Sequence, residues 1–243
     1  MGKMLTQQRR GKGSSVFRSP GFNFLSDITY PKQIQVGYAQ VIALYDDPGR
    51  YTPVAELEFV DGTKLLMLAA EGMAVGDKVS MGDVPTFSVG SIKPLSLIPD
   101  GTPIFNIERH PGDGGRMARS SGTAGFVVAH DEDTGLVTIQ LSSKRTVILS
   151  PLCRVTLGVA SGGGRLEKPL MKAGNNAFKH LARGHSWPKV RGTAMNAVDH
   201  PHGGRSFGKS TTVARSTPPG RKVGQVAARS TGRRKSKSRS SNG

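Results

Sequence analysis

The chain has 243 residues and a formal net charge of +17, because 34 Lys and Arg side chains outnumber 17 Asp and Glu side chains. The charge lies at the two ends: residues 161–243 carry 18 bases and two acids, residues 1–26 carry five bases and no acid, and residues 27–160 carry 11 bases and 15 acids. Dispersed cations of this kind favour a nucleic-acid partner, since each neutralised phosphate releases counterions. The basic ends lack the apolar helical face of a membrane-surface segment, so no membrane partner is expected.

The composition also bounds the fold and the compartment. Residues 161–243 contain ten Leu, Ile, Val and Phe residues, too few for burial to offset chain entropy, so this tail is expected to be largely disordered on its own. The foldable part is therefore about residues 30–160. The single Cys153 excludes an intramolecular disulfide framework, fits a reducing compartment and is expected to pack in a core. With no apolar run of 18 residues and no apolar signal segment, the chain is expected to be soluble and intracellular.

The first predicted elements are strands of a small barrel. β-forming residues are concentrated at 34–45, 54–59, 64–69 and 78–80, between turns rich in Asp, Gly and Pro. The turn at Asp61-Gly62 is the clearest hairpin signal. About five short strands with this spacing predict a closed barrel of the OB type that ends near residue 90.

A second small barrel is predicted to follow. Residues 91–108 contain three prolines and are expected to form an extended connector. Alternating or apolar runs then predict strands at residues 124–129, 135–141, 145–149 and 153–159. Beyond residue 160 the one predicted element is a short helix at residues 177–182. The sequence therefore predicts a mainly β fold with long basic N- and C-terminal extensions.

Three motifs in the tail could bind RNA. Residues 161–165, SGGGR, place three glycines before an arginine, so backbone amides could approach a phosphate, although a flexible hinge explains the motif equally well. Trp187 lies between Arg183 and Lys189 and could stack on an unpaired base or close the end of a barrel. Residues 229–239 are low-complexity and basic, which suits binding along RNA or a solvated tail.

The segment Asp199–Gly204, DHPHGG, is the one candidate for catalysis. Asp199 could fix the tautomer of His200 and raise its basicity for proton transfer. A loop whose imidazoles and glycines contact RNA is favoured instead, because no second acid, nucleophile or shaped pocket accompanies the histidines. His180 and His185 upstream raise a zinc hypothesis, but structural zinc sites usually bring paired cysteines, so no metal or other cofactor is expected.

These residues also carry a resemblance to a known family. The stretch SGGGRLEKPLMKAGNNAFKHLARGHSWPKVRGTAMNAVDHPHGGR, followed by TPPGRKVGQVAARSTGRRK, resembles the universal large-subunit ribosomal protein L-two family. QRRGKGSSVFRSP near the start resembles the archaeal and eukaryotic branch of that family, and PGDGGRMARSSGTAGFVV and AAEGMAVGD extend the likeness through the middle. The short beginning and the absence of long insertions favour an archaeal member.

The resemblance implies a domain organisation and a function. The regions are a basic N-terminal extension at residues 1–30, an OB-like barrel at 31–90, an SH3-like barrel at 91–160 and an extension that penetrates ribosomal RNA (rRNA) at 161–243. The implied function is that of a structural constituent of the large ribosomal subunit in the cytoplasm, not an enzyme, whose extensions order on RNA. The implied partners are large-subunit rRNA, other large-subunit proteins and the small subunit across the intersubunit interface. Support of tRNA binding and of the architecture around the peptidyl transferase centre is also implied.

The expected RNA contacts are basic, histidine and tryptophan side chains. Before the tail they are Arg9, Arg10, Lys12, Arg18, Arg116 and Arg119. Up to the histidine loop they are Arg165, Lys168, Lys172, Lys179, His180, Arg183, His185, Trp187, Lys189, Arg191, His200 and His202. Beyond it they are Arg205, Lys209, Arg215, Arg221, Lys222, Arg229, Arg233, Arg234 and Lys235.

The chain departs from the common family pattern at two positions, and two other functions stay open. Ala197 stands where many relatives have proline, which loosens the entry to the histidine loop, and Arg205 stands where they often have a third glycine, which adds a phosphate contact. The alternatives to a structural role are direct proton transfer by His200 in peptide-bond formation and general compaction of nucleic acid.

Overall fold

The computed structural model describes residues 2–31, 36–165, 167–204 and 211–228, which belong to two compact units. The central unit is the continuous stretch Pro20–Lys172, and the terminal unit combines Met1–Ser19 with Ala173–Gly243. Across the described ranges, no helix is both long and apolar enough to cross a membrane.

Ten strands of the central unit form one sheet. They are β1 (Gly37–Tyr45), β2 (Val54–Phe59), β3 (Lys64–Leu68), β4 (Lys78–Met81), β5 (Ile92–Pro94), β6 (Pro103–Phe105), β7 (Gly125–His130), β8 (Val137–Gln140), β9 (Thr146–Leu149) and β10 (Arg154–Leu157). Their order across the sheet is β3-β2-β1-β4-β5-β10-β6-β7-β8-β9. All neighbours are antiparallel except β4 and β5, which pair in parallel at Met81 and Ile92. The mainly β prediction is confirmed.

The first four strands enclose one hydrophobic core. Alternating residues of β1, among them Ala39 and Val41, are buried against Leu57 of β2 and Met67 of β3. The hairpin between β2 and β3 turns at Gly62, whose φ of +80° favours glycine. This half of the unit is the OB-like barrel that the alternation of β-forming residues predicts.

The strands from β6 to β10 enclose a second core, that of the SH3-like barrel. Buried Ile104, Val127, Ile139 and Val155 pack together there. Cys153 lies in the same cluster and is fully buried, so the prediction of a packing role is confirmed. Burial raises the pKa of its thiol.

The predicted extended connector at residues 91–108 is wrong. This stretch supplies β5 and β6, which both pair with β10, and a 3-10 turn at Leu95–Leu97 lies between them. The prolines are compatible with strands at these positions, because Pro94 ends β5 and Pro103 begins β6, where a ladder N–H is dispensable. Leu95 and Phe105 are fully buried, so the stretch belongs to the core.

A buried ion pair ties the segment before β1 to the second barrel. The Glu108 carboxylate accepts hydrogen bonds from Arg154 Nη2 at 2.6 Å, from Arg154 Nε at 3.1 Å, and from the backbone N–H groups of Arg154 and Gly114 at 2.8 Å each. Arg154 Nη1 donates to the carbonyl of Pro31, and the Tyr30 hydroxyl donates to the carbonyl of Asn106 at 2.7 Å. Tyr30, the last residue of the expected N-terminal extension, is therefore part of the folded core.

The terminal unit has little core of its own. It contains α1 (Thr6–Gly11), α2 (Ala173–Leu181) and a parallel pair of two-residue strands, β11 (Thr212–Val213) and β12 (Gln225–Val226). The helix expected at residues 177–182 is present but begins at Ala173, and none of its residues is buried. Among the described residues of this unit, only Leu5, Gly203 and Val223 are buried. This agrees with a composition too poor in apolar residues to build a core.

Candidate nucleic-acid interface

Three arginines surround a cavity in the central unit. The cavity has a volume of about 470 Å³, and its lining includes Arg50, Arg116 and Arg119 with Asp27 as the single acid. Arg50 is held by Asp47, with Nε 2.9 Å from Oδ2, and donates from Nη2 to the carbonyl of Ser26 at 2.7 Å. Its Nη1 is buried without a hydrogen-bond partner among the described residues. The Arg50 guanidinium is therefore fixed in place, and its Nη1 can still donate a hydrogen bond to a ligand.

Arg119 also has a structural role. Its Nη2 donates to the carbonyl of Ile28 at 2.6 Å and its Nη1 to that of Gly115 at 3.0 Å. Burial lowers the pKa of the Arg119 guanidinium, and the nearby cations Arg50 and Arg116 lower it further. A phosphate bound in the cavity would relieve this mutual repulsion, because it brings negative charge to three like-charged groups.

Sequence reasoning missed Arg50. The residue follows the Asp-Asp-Pro-Gly turn in the stretch whose net charge is negative, so composition does not single it out. Its neighbours in the cavity, Arg116 and Arg119, lie more than 60 positions further along the chain. Only the fold brings them together.

A second basic group is prepared by stacking. The Arg165 guanidinium carbon lies 3.3 Å from the centroid of the Tyr51 ring, a close cation–π contact that holds the charged group over the aromatic face. Gly162 precedes it with a φ of +78°, and a Cβ there would lie 2.8 Å from the carbonyl oxygen of Tyr51. The glycine run therefore allows the backbone to approach Tyr51 closely, and this approach places Arg165 over the Tyr51 ring.

In the terminal unit, α1 carries exposed cations in its last turn. Arg9 and Arg10 occupy its last turn and are exposed, and the Arg10 guanidinium lies 5.9 Å from the ring centroid of Phe17. The backbone of Arg18 packs so tightly on Gly184 that a Cβ at Gly184 would lie 2.2 Å from the carbonyl oxygen. The N-terminal and C-terminal segments, expected to be separate extensions, thus meet within one unit.

The aromatic cluster of the tail is centred on Trp187. Its ring stacks on His180 with centroids 6.2 Å apart and planes inclined by 11°, and His185 lies 5.9 Å from His180. Burial lowers the pKa of His180, and the positive groups around it, including Lys179 and Lys189, lower it further. A neutral imidazole stacked on the indole leaves an aromatic pair flanked by exposed bases, a suitable surface for an unpaired nucleotide.

The histidine loop is closed by a hydrogen bond of its own, and its carboxylate pairs with a lysine. The His200 Nδ1 accepts a hydrogen bond from the backbone N–H of His202 at 3.0 Å, while the Asp199 carboxylate lies 2.8 Å from Lys3 Nζ. Among the described residues, no hydrogen bond joins Asp199 to His200, so the structure does not support the alternative in which Asp199 fixes the His200 tautomer. Burial and then His202 lower the pKa of His200, which favours the neutral imidazole.

Lys3 is a second residue that sequence reasoning missed. Besides its ion pair with Asp199, its backbone N–H donates to the carbonyl of Val198 at 2.8 Å. On the other side of the loop, a Cβ at Gly192 would lie 2.3 Å from the His200 ring, so that ring packs directly on the glycine backbone. The loop is therefore positioned by both ends of the chain.

The other predicted contacts are mostly exposed. Those exposed in the described part are Lys12, Arg18, Arg116, Lys168, Lys172, Arg183, His185, Lys189, Arg191, Arg215, Arg221 and Lys222. Half-buried ones are Arg119, Arg165, Lys179, His180, Trp187, His200 and His202. Arg205, Lys209, Arg229, Arg233, Arg234 and Lys235 lie outside the described residues. Within the described ranges, no cluster of His, Cys, Asp and Glu side chains is arranged to hold a metal ion.

Comparison with known proteins supplies the family. Residues 2–81 match the family model described as Ribosomal Proteins L2, RNA binding N-terminal domain, and residues 88–223 match Ribosomal Proteins L2, C-terminal domain. Proteins named Large ribosomal subunit protein uL2 are similar over nearly the whole chain. The one from Natronomonas pharaonis is 45% identical over 238 residues, 96% of this chain and 97% of that protein. The one from Methanopyrus kandleri is 46% identical over 241 residues, 96% of this chain and 98% of that protein. The chain therefore belongs to the ribosomal protein L2 family, in its archaeal form.

Proposed function

We propose that this protein is a structural constituent of the large ribosomal subunit that binds rRNA and acts in the cytoplasm as part of the ribosome. The observation that carries the proposal is the terminal unit: it is strongly basic, most of its described cations are exposed, and its described residues form almost no core. Such a unit gains from a polyanionic environment, which neutralises its charge and buries its surface. The family match and the names of the relatives support the same function.

The two units bind rRNA in different ways. The barrels of the central unit dock on RNA surfaces through the arginine cavity and the stacked Arg165, and the terminal unit enters the RNA interior. In regional terms, residues 1–30 and 161–243 act as rRNA-binding extensions of barrels at 31–90 and 91–160. Through this placement the protein supports tRNA binding, joining with the small subunit and the architecture around the peptidyl transferase centre.

The histidine loop has an organising role and no catalytic one. A general base needs a free lone pair within hydrogen-bonding distance of the proton it takes. The Nδ1 of His200 already accepts a backbone N–H, and the carboxylate of Asp199 is paired with Lys3. With Nδ1 as the acceptor, the neutral ring carries its proton on Nε2, which can donate to RNA but has no lone pair to take a proton. General compaction of nucleic acid is less well supported, because it needs neither the aromatic cluster nor a closed histidine loop.

The arginine cavity provides the test. Arg116 is exposed, and its guanidinium makes no hydrogen bond to the described residues, so Arg116→Gln should spare the fold. Affinity of the full chain for large-subunit rRNA is measured over a salt series, for this variant and for Arg145→Gln at the exposed turn between β8 and β9 as a control. Loss of one phosphate contact should reduce the slope of log affinity against log salt by about 1 for Arg116→Gln alone. Equal slopes for the two variants would remove the cavity from the interface, and salt-independent binding would contradict the proposed function.

A further inference from the structure

One edge of the ten-stranded sheet is left open. β9 is the last strand in the order, with β8 on one side. Among the described residues, no strand pairs with its other edge. Natural proteins usually protect such an edge with inward charges, prolines or bulges, because its free N–H and C=O groups invite another chain. The sequence of β9, TVIL, contains none of these.

The outer face beside this edge is apolar. Ile148 of β9 is 64% exposed, Leu152 in the following turn is 68% exposed, and Phe126 and Val128 of β7 are 47% and 48% exposed. The register places Ile148 opposite Thr138 and Phe126 opposite Gln140, so the outward side chains of the paired positions carry no charge. An uncharged face offers no cation to a phosphate. The apolar side chains of an added strand, in contrast, would cover this face and bury it from water.

The two ends of this face carry opposite charge. The turn between β7 and β8 presents three consecutive exposed acids at residues 131–133, and the turn between β8 and β9 presents exposed Lys144 and Arg145. The Asp131 carboxylate accepts hydrogen bonds from Thr134 Oγ1 at 2.5 Å and from the Asp133 N–H at 3.1 Å, which lowers its pKa and fixes the acidic turn. Val137 at the start of β8 pairs with Leu149, so the acidic turn lies at the Leu149 end of β9.

We propose that the β9 edge receives an extended segment of another large-subunit protein, added as a further strand. The segment carries Lys or Arg at the end that meets residues 131–133, an apolar side chain against Ile148, and no base at the end that meets Lys144 and Arg145. The three carboxylates disfavour RNA at this end of the edge, since they repel phosphates. The inference rests on the proposed function, because the partner belongs to the assembled subunit.

Photo-cross-linking within assembled subunits tests the inference. Ile148, and in a second variant Leu152, is replaced by p-benzoylphenylalanine in the full chain, and large subunits are purified and irradiated. Val75, 61% exposed between β3 and β4, is the matched control position. We expect a cross-link from position 148 or 152 to a basic segment of another protein, and loss of that cross-link when Glu132→Lys and Asp133→Lys are added.

Each other outcome counts against the proposal. Cross-links to rRNA alone would assign the edge to RNA. Cross-linking yields at positions 148 and 152 no higher than at position 75 would show that no partner covers the edge. A protein cross-link unaffected by the charge reversal would overturn the recognition of a basic segment. In all three cases the chain is present in large subunits and the proposed function stands. Absence of the chain from large subunits would overturn the proposed function and the docking inference together.

Discussion

Removal of the Glu108 carboxylate should destabilise the central unit severely. The side chain of Glu108 is fully buried, that of Arg154 is 6% exposed, and the carboxylate accepts hydrogen bonds from both side-chain and backbone donors. Glu108→Ala leaves a buried guanidinium without its counter-charge and two buried N–H groups without acceptors. Breaking one partner of such a pair costs about 3–5 kcal/mol. For a unit of this size that corresponds to a fall in Tm of about 6–20 °C.

The assay is urea and thermal unfolding of the full chain, followed by circular dichroism. Glu132→Ala, in the exposed turn between β7 and β8, is the control and should change the free energy of unfolding by less than about 0.5 kcal/mol. Glu108→Leu combined with Arg154→Met should recover part of the loss, because an apolar pair leaves no buried charge while the backbone N–H groups of Arg154 and Gly114 still lack acceptors. A loss below about 1 kcal/mol for Glu108→Ala would refute the reasoning.

The same pair predicts a pH dependence. Burial alone raises the pKa of the Glu108 carboxyl, but the hydrogen bonds from Arg154 and from the backbone N–H of Gly114 outweigh it, so the pKa lies below its ordinary value. A carboxyl with a lower pKa in the folded state stabilises the fold fully above its unfolded pKa, about 4.3. That contribution is lost as the pH falls through the folded pKa. The difference in unfolding free energy between wild type and Glu108→Ala should therefore be constant from about pH 5 to 7 and shrink in stronger acid; a difference unchanged down to about pH 2 would contradict this.

Three further predictions concern single residues. Tyr30→Phe should cost about 1–3 kcal/mol in urea unfolding, because it strips the buried carbonyl of Asn106 of its donor; a neutral effect would remove Tyr30 from the network. Gly101→Ala should lower the free energy of unfolding by about 1–2 kcal/mol, because φ there is +79° and no atom lies within 4 Å of the added Cβ. Gly115→Ala should lower it clearly more, because φ is +89° and the added Cβ would lie 2.3 Å from Asn106 Oδ1. Equal losses would show that the close contact is relieved. His200→Gln should leave the single-turnover rate of peptide-bond formation unchanged in fully assembled ribosomes, and a large fall with normal assembly would restore a catalytic role.

Local sequence signals predict the local parts of this fold. Residues 54–59 form β2 as expected, because alternation and a following Asp61-Gly62 turn are properties of adjacent residues. The error at residues 91–108 has a different origin: short strands bounded by prolines are stable only because β10 pairs with both of them. The pattern of a single segment cannot contain that information.

The candidate interface shows the same limit. The abundance of bases in the tail follows from composition, and most of those that the structure describes are exposed and accessible to an RNA partner. The arginine cavity and the ion pair between Lys3 and Asp199 do not follow, because their members are far apart in the chain. The alternative pairing of Asp199 with His200 is not formed among the described residues for the complementary reason, since adjacency in sequence places side chains near each other without orienting them.

Sedimentation after a high-salt wash tests the central claim most directly. Cell extract is washed at high ionic strength and resolved on a sucrose gradient, and this chain is followed against large-subunit rRNA. Exposed charge contacts weaken steeply with salt, whereas a terminal unit enclosed by RNA is screened far less. Continued co-migration with the large subunit is the predicted result. Release of the chain into the light fractions, with the rRNA particle otherwise intact, would contradict an integral structural role.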